Sequence, residues 1–163
     1  MRILGIDPGY GRMGFGVVEK KGSDWVYVVH GCVETKAKDK FADRLLELHA
    51  EVKQIINKYK PTHAAVEQLF FAKNAKTAMD VGQARGVILL TLFQASLPVA
   101  EYTPLQVKQA ITGYGRAEKE QVQKMIIFLL GLTKKPLQDD AADALAIALT
   151  AGISAKFEQI KRG

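Results

Sequence analysis

Three strand-like segments precede the first helix, and the pattern then changes to alternating strand and helix. That order constrains the fold more than any other feature. Residues 2–7, RILGID, read as a short buried strand. Residues 13–19 (MGFGVVE) and 25–34 (WVYVVHGCVE) are rich in valine and aromatic residues, with Gly22 and Ser23 as turn material between them. Strands joined by hairpins run antiparallel. Phe41, Leu45, Leu48, Val52, Ile55 and Tyr59 then recur at three- and four-residue spacing, which predicts a helix over 39–59 that ends before Pro61. Residues 63–68 read as a fourth strand, 74–95 as a second long helix and 99–102 as a fifth strand. Helical crossovers make these later strands parallel. The expected class is α/β: a mixed five-stranded sheet, three antiparallel-linked strands then two parallel ones, flanked by helices. The 163 residues carry no repeat or linker and suit one domain, 1–163.

Three shorter helices complete the chain. Thr103 and Pro104 suit the cap and first position of a helix over 103–112. Val122, Met125, Ile126, Leu129 and Leu130 form the apolar stripe of another over about 117–130, with Gly131 as its stop. The last helix opens in LQDDAADALAIA, residues 137–148.

Composition removes some function classes. No apolar run is long enough to span a bilayer, and Asp7 interrupts the N-terminus too early for a signal peptide. Cys32 is the single cysteine, so neither a disulfide framework nor a cysteine zinc site forms within one chain. The expected setting is a reducing cytoplasm, away from membranes. A net charge of +6 is compatible with a polyanionic partner such as nucleic acid, and equally with simple solubility.

Residues 9–14, GYGRMG, match the glycine pattern of a dinucleotide site. That motif must open a helix, so that the pyrophosphate meets the helix N-terminus. The following GFGVV is strand-like, so the glycines are read as a tight turn and a place of close backbone approach. A phosphate loop of the sugar-kinase or actin kind would require a second, similar lobe, for which the chain is too short.

Acidic residues cluster where an open sheet binds ligands. Asp7 ends the first strand and Glu67 lies near the end of the fourth. If these strands are parallel neighbours, both acids reach the carboxyl edge at the point where the winding reverses. On the final helix, Asp139 with Asp143 or Asp140 with Asp143 would share a face. Clustered carboxylates raise one another's pKa unless a cation lies among them. Hard oxygen donors suit Mg²⁺ or Mn²⁺, which activate water and stabilise a phosphoryl transition state. Helix-terminal capping explains one or two of the aspartates but not Asp7 and Glu67. Glu101, at the end of the fifth strand, is a rival fourth ligand that spacing leaves open.

GIDPG, EQLFFAKNAKTA, GQARG, VKQAITGYGRAEKEQV and DAADALAIA, in this order, resemble the RuvC family of Holliday junction resolvases. The resemblance runs from about residue 2 to 152. It implies a ribonuclease-H-like fold and a homodimer that nicks two strands of a four-way DNA junction symmetrically. It further implies four metal-binding catalytic acids, Asp7, Glu67, Asp140 and Asp143, with two divalent ions per site and 5′-phosphate and 3′-hydroxyl products. By this pattern Asp140 is selected over Asp139, and Glu101 drops out. Asp139 is left as a helix cap or an outer charge whose replacement by alanine keeps most cleavage.

The segment LFFAKNAKT, 69–77, sets Phe70 and Phe71 beside Lys73 and Lys76, a combination that can stack on bases and hold phosphates. The family pattern points to Phe70 as the DNA-contacting ring, and to Lys108 and Lys119 as contacts to the scissile backbone. Arg116, Lys134 and Lys135 would extend the basic surface. Ala78, Gly82 and Gly86 lie four apart on one helix face, which could meet a twofold mate or the chain's own sheet. A branch-migration motor is a further possible partner. Two rival functions remain: a non-catalytic junction-binding module, and a general nuclease acting on RNA–DNA hybrid.

Overall fold

A computed structural model describes residues 1–68, 75–133 and 138–154. Its five strands are β1 (Arg2–Asp7), β2 (Arg12–Lys21), β3 (Asp24–Glu34), β4 (His63–Glu67) and β5 (Val99–Tyr102). The helices are α1 (Phe41–Tyr59), α2 (Ala75–Gln94), α3 (Pro104–Thr112), α4 (Lys119–Leu129) and α5 (Asp139–Ile153). The sheet order is β3-β2-β1-β4-β5. β1–β2 and β2–β3 are antiparallel, whereas β1–β4 and β4–β5 are parallel. The expected mixed sheet is therefore found, and β1 and β4 flank the point where the winding reverses.

Local sequence explains the element ends. Gly22, at φ +60°, makes the β2–β3 turn. Thr103 Oγ1 accepts from the Gln106 amide and the Gln106 side chain accepts from the Thr103 amide, a complete capping box with Pro104 behind it. α4 starts two residues later than the apolar stripe suggests, because Glu118 and Gln121 form a second such box. Asp139 is not the cap of α5: Gln138 holds that position, and Asp139 is the first helical residue.

The sheet has two unlike faces. On one, α1 and α2 bury large side chains, among them Leu48, Val52, Ile88 and Leu92, against Leu4, Ile6, Met13 and Val17. On the other, α5 lies across β1 and β2, with α3 and α4 packed outside it. Alanine and glycine dominate that contact. A Cβ on Gly5 would stand 2.1 Å from the Ala144 carbonyl oxygen, and one on Gly14 would stand 2.0 Å from that of Asp140. These glycines let the helix backbone rest on the strands. The GYGRMG motif thus ends in a seat for α5, as strand-like context predicts.

Candidate active site

The site is assembled by strand pleat and by the seating of α5. Along β1, Ile3 and Gly5 face α5, so Asp7 faces the same way. Ala65 does likewise on β4, which carries Glu67 to the same face. The parallel register pairs Ile6 with Val66, so Asp7 and Glu67 stand side by side at the carboxyl edge. α5 begins above them, and its closeness to Gly14 fixes the height of Asp140 and, one turn on, Asp143.

The electrostatics record this convergence. Burial, then Glu67, Asp143 and Asp140, push the Asp7 carboxyl up to about 8, against a smaller opposing pull from Lys119. Glu67 is raised by burial and by Asp143, although a hydrogen bond with Asp7 and the charge of Lys119 oppose this. Asp143 is raised by burial, against the pull of Lys119. The set of mutually repelling, hard carboxylate oxygens, costly without a neutralising charge, fits a divalent cation in donor type and in sign.

Two side-chain cations already meet these acids. Lys119 Nζ lies 3.0 Å from Asp143 Oδ2 and 3.5 Å from Asp139 Oδ2. Burial alone would lower the Lys119 ammonium, but Asp143 and Asp139 outweigh it and hold it above the ordinary lysine value. Arg12, at the start of β2, bonds Glu34 at 3.0 Å and approaches Asp140 Oδ2 at 3.5 Å. With the side chains arranged this way, no three His, Cys, Asp or Glu groups among the described residues are drawn together around one ion position. Lys119 and Arg12 supply the positive charge that meets these acids in this structure.

Glu101 is excluded by pleat. It pairs with Val66, whose side chain belongs to the α1–α2 face, so Glu101 points away from Asp7. There the Arg85 guanidinium of α2 pairs with its carboxylate. The same Arg85 donates through Nε to the Glu67 carbonyl oxygen at 3.2 Å, tying α2 to the ends of β4 and β5.

Beside the acids lies a cavity of about 220 Å³ with a mainly apolar floor, lined by Glu67, Val107, Lys108, Lys119, Val122 and Asp143. Lys108 and Lys119 thus share one cavity with two of the acids, from separate helices. Arg116 is exposed just before α4. Phe70, Phe71, Lys73, Lys134 and Lys135 lie outside the described residues, as does the side chain of Lys76. Sequence reasoning did not single out Arg12, Arg85 or Gln123. Arg12 was hidden in the glycine motif. The partners of all three are distant in the chain; Arg12 and Arg85 lie within quoted motifs, whereas Gln123 falls just after one and carries no local signal.

Residues 3–151 match the family described as Crossover junction endodeoxyribonuclease RuvC. A Petrotoga mobilis protein of that name is 53% identical over 152 residues, covering 93% of each chain. One from Caldicellulosiruptor saccharolyticus is 54% identical over 150 residues, covering 91% of this chain and 90% of that protein. Among solved structures, Thermus thermophilus RuvC in complex with Holliday junction substrate superposes with a TM-score of 0.90 at 39% identity, covering 97% of this chain and 96% of that one.

Proposed function

The chain belongs to the RuvC family of crossover junction endodeoxyribonucleases, and from that premise we propose that it resolves four-way DNA junctions with Asp7, Glu67, Asp140 and Asp143 as its catalytic acids. The observation that carries this reading is the gathering of the four from β1, β4 and α5, which together with burial, the larger cause, pushes Asp7 up to about 8. A structural role alone does not account for so costly a cluster at a sheet edge.

The four carboxylates would hold Mg²⁺ or Mn²⁺, two ions per site. Such ions, when bound, supply an activated water and charge stabilisation for in-line displacement at phosphorus. The chain's own part is positional. Asp7 and Glu67 are fixed by the paired strand ends, and Asp140 and Asp143 by the glycine-seated helix. Lys119, once released from Asp143, and Lys108 across the cavity would meet the phosphate oxygens of the scissile strand. Hydrolysis without a covalent intermediate would leave 5′-phosphate and 3′-hydroxyl ends. Phe70, Lys73 and Lys76 complete the proposed DNA contacts from the segment after β4.

Paired nicks on a symmetric junction need two active sites, hence a homodimer. The outer face of α2 supports this. A Cβ on Gly82 or Gly86 would meet nothing within 4 Å, so that face is not packed on the chain's own sheet. Met79, Leu90 and Phe93 are exposed along the same helix. Among the described residues no helix is long and apolar enough to cross a membrane. A cytoplasmic site of action, on DNA and alongside a branch-migration motor, is part of the proposal.

One assay tests the reading. Purified protein is mixed with an end-labelled four-way junction or an RNA–DNA hybrid duplex, with and without Mg²⁺. The expected result is symmetric paired nicks in the junction only, dependent on the metal. Binding without nicks, or preferential cutting of the hybrid, would overturn it. Asp7→Asn should lower cleavage by at least about 10³-fold while junction binding survives; loss of folding instead would make Asp7 a structural residue.

A further inference from the structure

Asp139 is not accounted for by the N-cap position, which Gln138 holds without a side-chain capping bond, or by the four-acid pattern, which passes over it. Its side chain nevertheless has defined partners. Asp139 Oδ1 accepts from Gln123 Nε2 at 2.9 Å, and Asp139 Oδ2 stands 3.5 Å from Lys119 Nζ. Gln123 and Lys119 are four apart on α4 and so share a face. Gln123 is only 5% exposed, which makes it a stiff anchor for an acid whose side chain is itself largely exposed. One carboxylate therefore grips α4 twice, through a buried amide and through the ammonium.

The second partner of Lys119 is Asp143, at 3.0 Å. On the reading above, on which this inference rests, Asp143 is given up to a divalent cation when the site is active. Lys119 then loses its nearer anchor, and a lysine free in solvent samples many rotamers. Asp139 is the first residue of α5, and its bond to Gln123 does not involve Asp143. We propose that Asp139 is the positioning residue for Lys119: a Gln123-anchored carboxylate that holds the ammonium at the cavity when Asp143 is taken by a cation. Its action is through Lys119 and not through contact with the phosphate.

The proposal is tested by a double-mutant cycle under single-turnover conditions at saturating Mg²⁺, using wild type, Asp139→Ala, Lys119→Ala and the double variant. Junction affinity is measured separately in Ca²⁺. In place of the sequence expectation that most cleavage survives, Asp139→Ala should slow cleavage about fivefold, the reach of a partly exposed ion pair, with affinity unchanged within about twofold. The double variant should be no slower than Lys119→Ala, because Asp139 has nothing left to position. Asp139→Glu should restore part of the rate, and Gln123→Met should reproduce part of the loss. A wild-type rate in Asp139→Ala, or losses that add in the double variant, overturns the proposal alone. A junction left uncut by wild type overturns the nuclease reading and the proposal with it.

Discussion

The two faces of the sheet solve packing in opposite ways. The α1–α2 face is an ordinary core in which Leu48, Ile88 and Leu92 interlock with β1 and β2 through long side chains. The α5 face gives up side-chain volume, so that helix backbone touches strand backbone at Gly5, Gly14 and Gly16. Long side chains can repack around a change, whereas backbone in contact with backbone has no slack. The face with no slack is the one that carries Asp140 and Asp143 over Asp7 and Glu67. The lesson is that small residues fix the placement of the proposed catalytic acids, and large ones supply bulk stability.

The sharpest way to break this comparison is one substitution on each face. Gly14→Val places a side chain where the Asp140 carbonyl oxygen now lies, so α5 must move. Cleavage should fall by about 10²-fold or more, since displacements near 1 Å have that effect on reacting groups. Ile88→Ala, fully buried on the other face, should cost about 2–5 kcal/mol in denaturant unfolding. Its cleavage rate per folded molecule should stay at the wild-type value. Equal catalytic losses from both changes would remove the distinction between the faces.

The pH dependence of metal-free stability sharpens the same point. Asp7 titrates at about 8 in the fold against an ordinary 3.8, so the folded chain holds its proton more tightly than the unfolded chain. That contribution is fully present below the unfolded value and is lost as pH rises through about 8. Glu67 and Asp143 are raised as well and act in the same sense. The melting temperature in EDTA should therefore fall from about pH 5 to about pH 8.5. Asp7→Asn should flatten that slope and melt above wild type at pH 8, although it removes catalysis. Divalent metal should flatten it for wild type. The smallest expected effect lies at the rim: Thr103→Ala removes the capping box of α3, which carries Lys108, and should cost about 1 kcal/mol.

Much of this architecture is legible in the sequence because it is local. The hairpin order of the first three segments, the period of α1 and the Thr103–Pro104 start of α3 depend on neighbours in the chain, and each is found where the pattern puts it. The start of α4 is less so, because Glu118 competes with the apolar stripe to set it. What the sequence leaves open depends on register. Glu67 and Glu101 look alike as acids at strand ends, and only the Val66–Glu101 pairing shows that they face opposite sides. Asp139 looks like a cap until the long-range bond to Gln123 appears. Gly14 announces a close approach but not its partner, which lies on α5 at the far end of the chain. Arg12 is masked by a glycine motif that suggests nucleotide binding, and Arg85 by a helix whose glycines attract attention first.

The central claim is that Asp7, Glu67, Asp140 and Asp143 form a divalent-metal site whose charge is meanwhile met by Lys119 and Arg12. It is tested most directly by anomalous scattering from Mn²⁺ in crystals of the protein bound to a four-way junction. The account predicts peaks among these four carboxylates, with Lys119 parted from Asp143 and Arg12 from Asp140. Mn²⁺ bound elsewhere, with both cations still on their acids beside a cleaved strand, would contradict it.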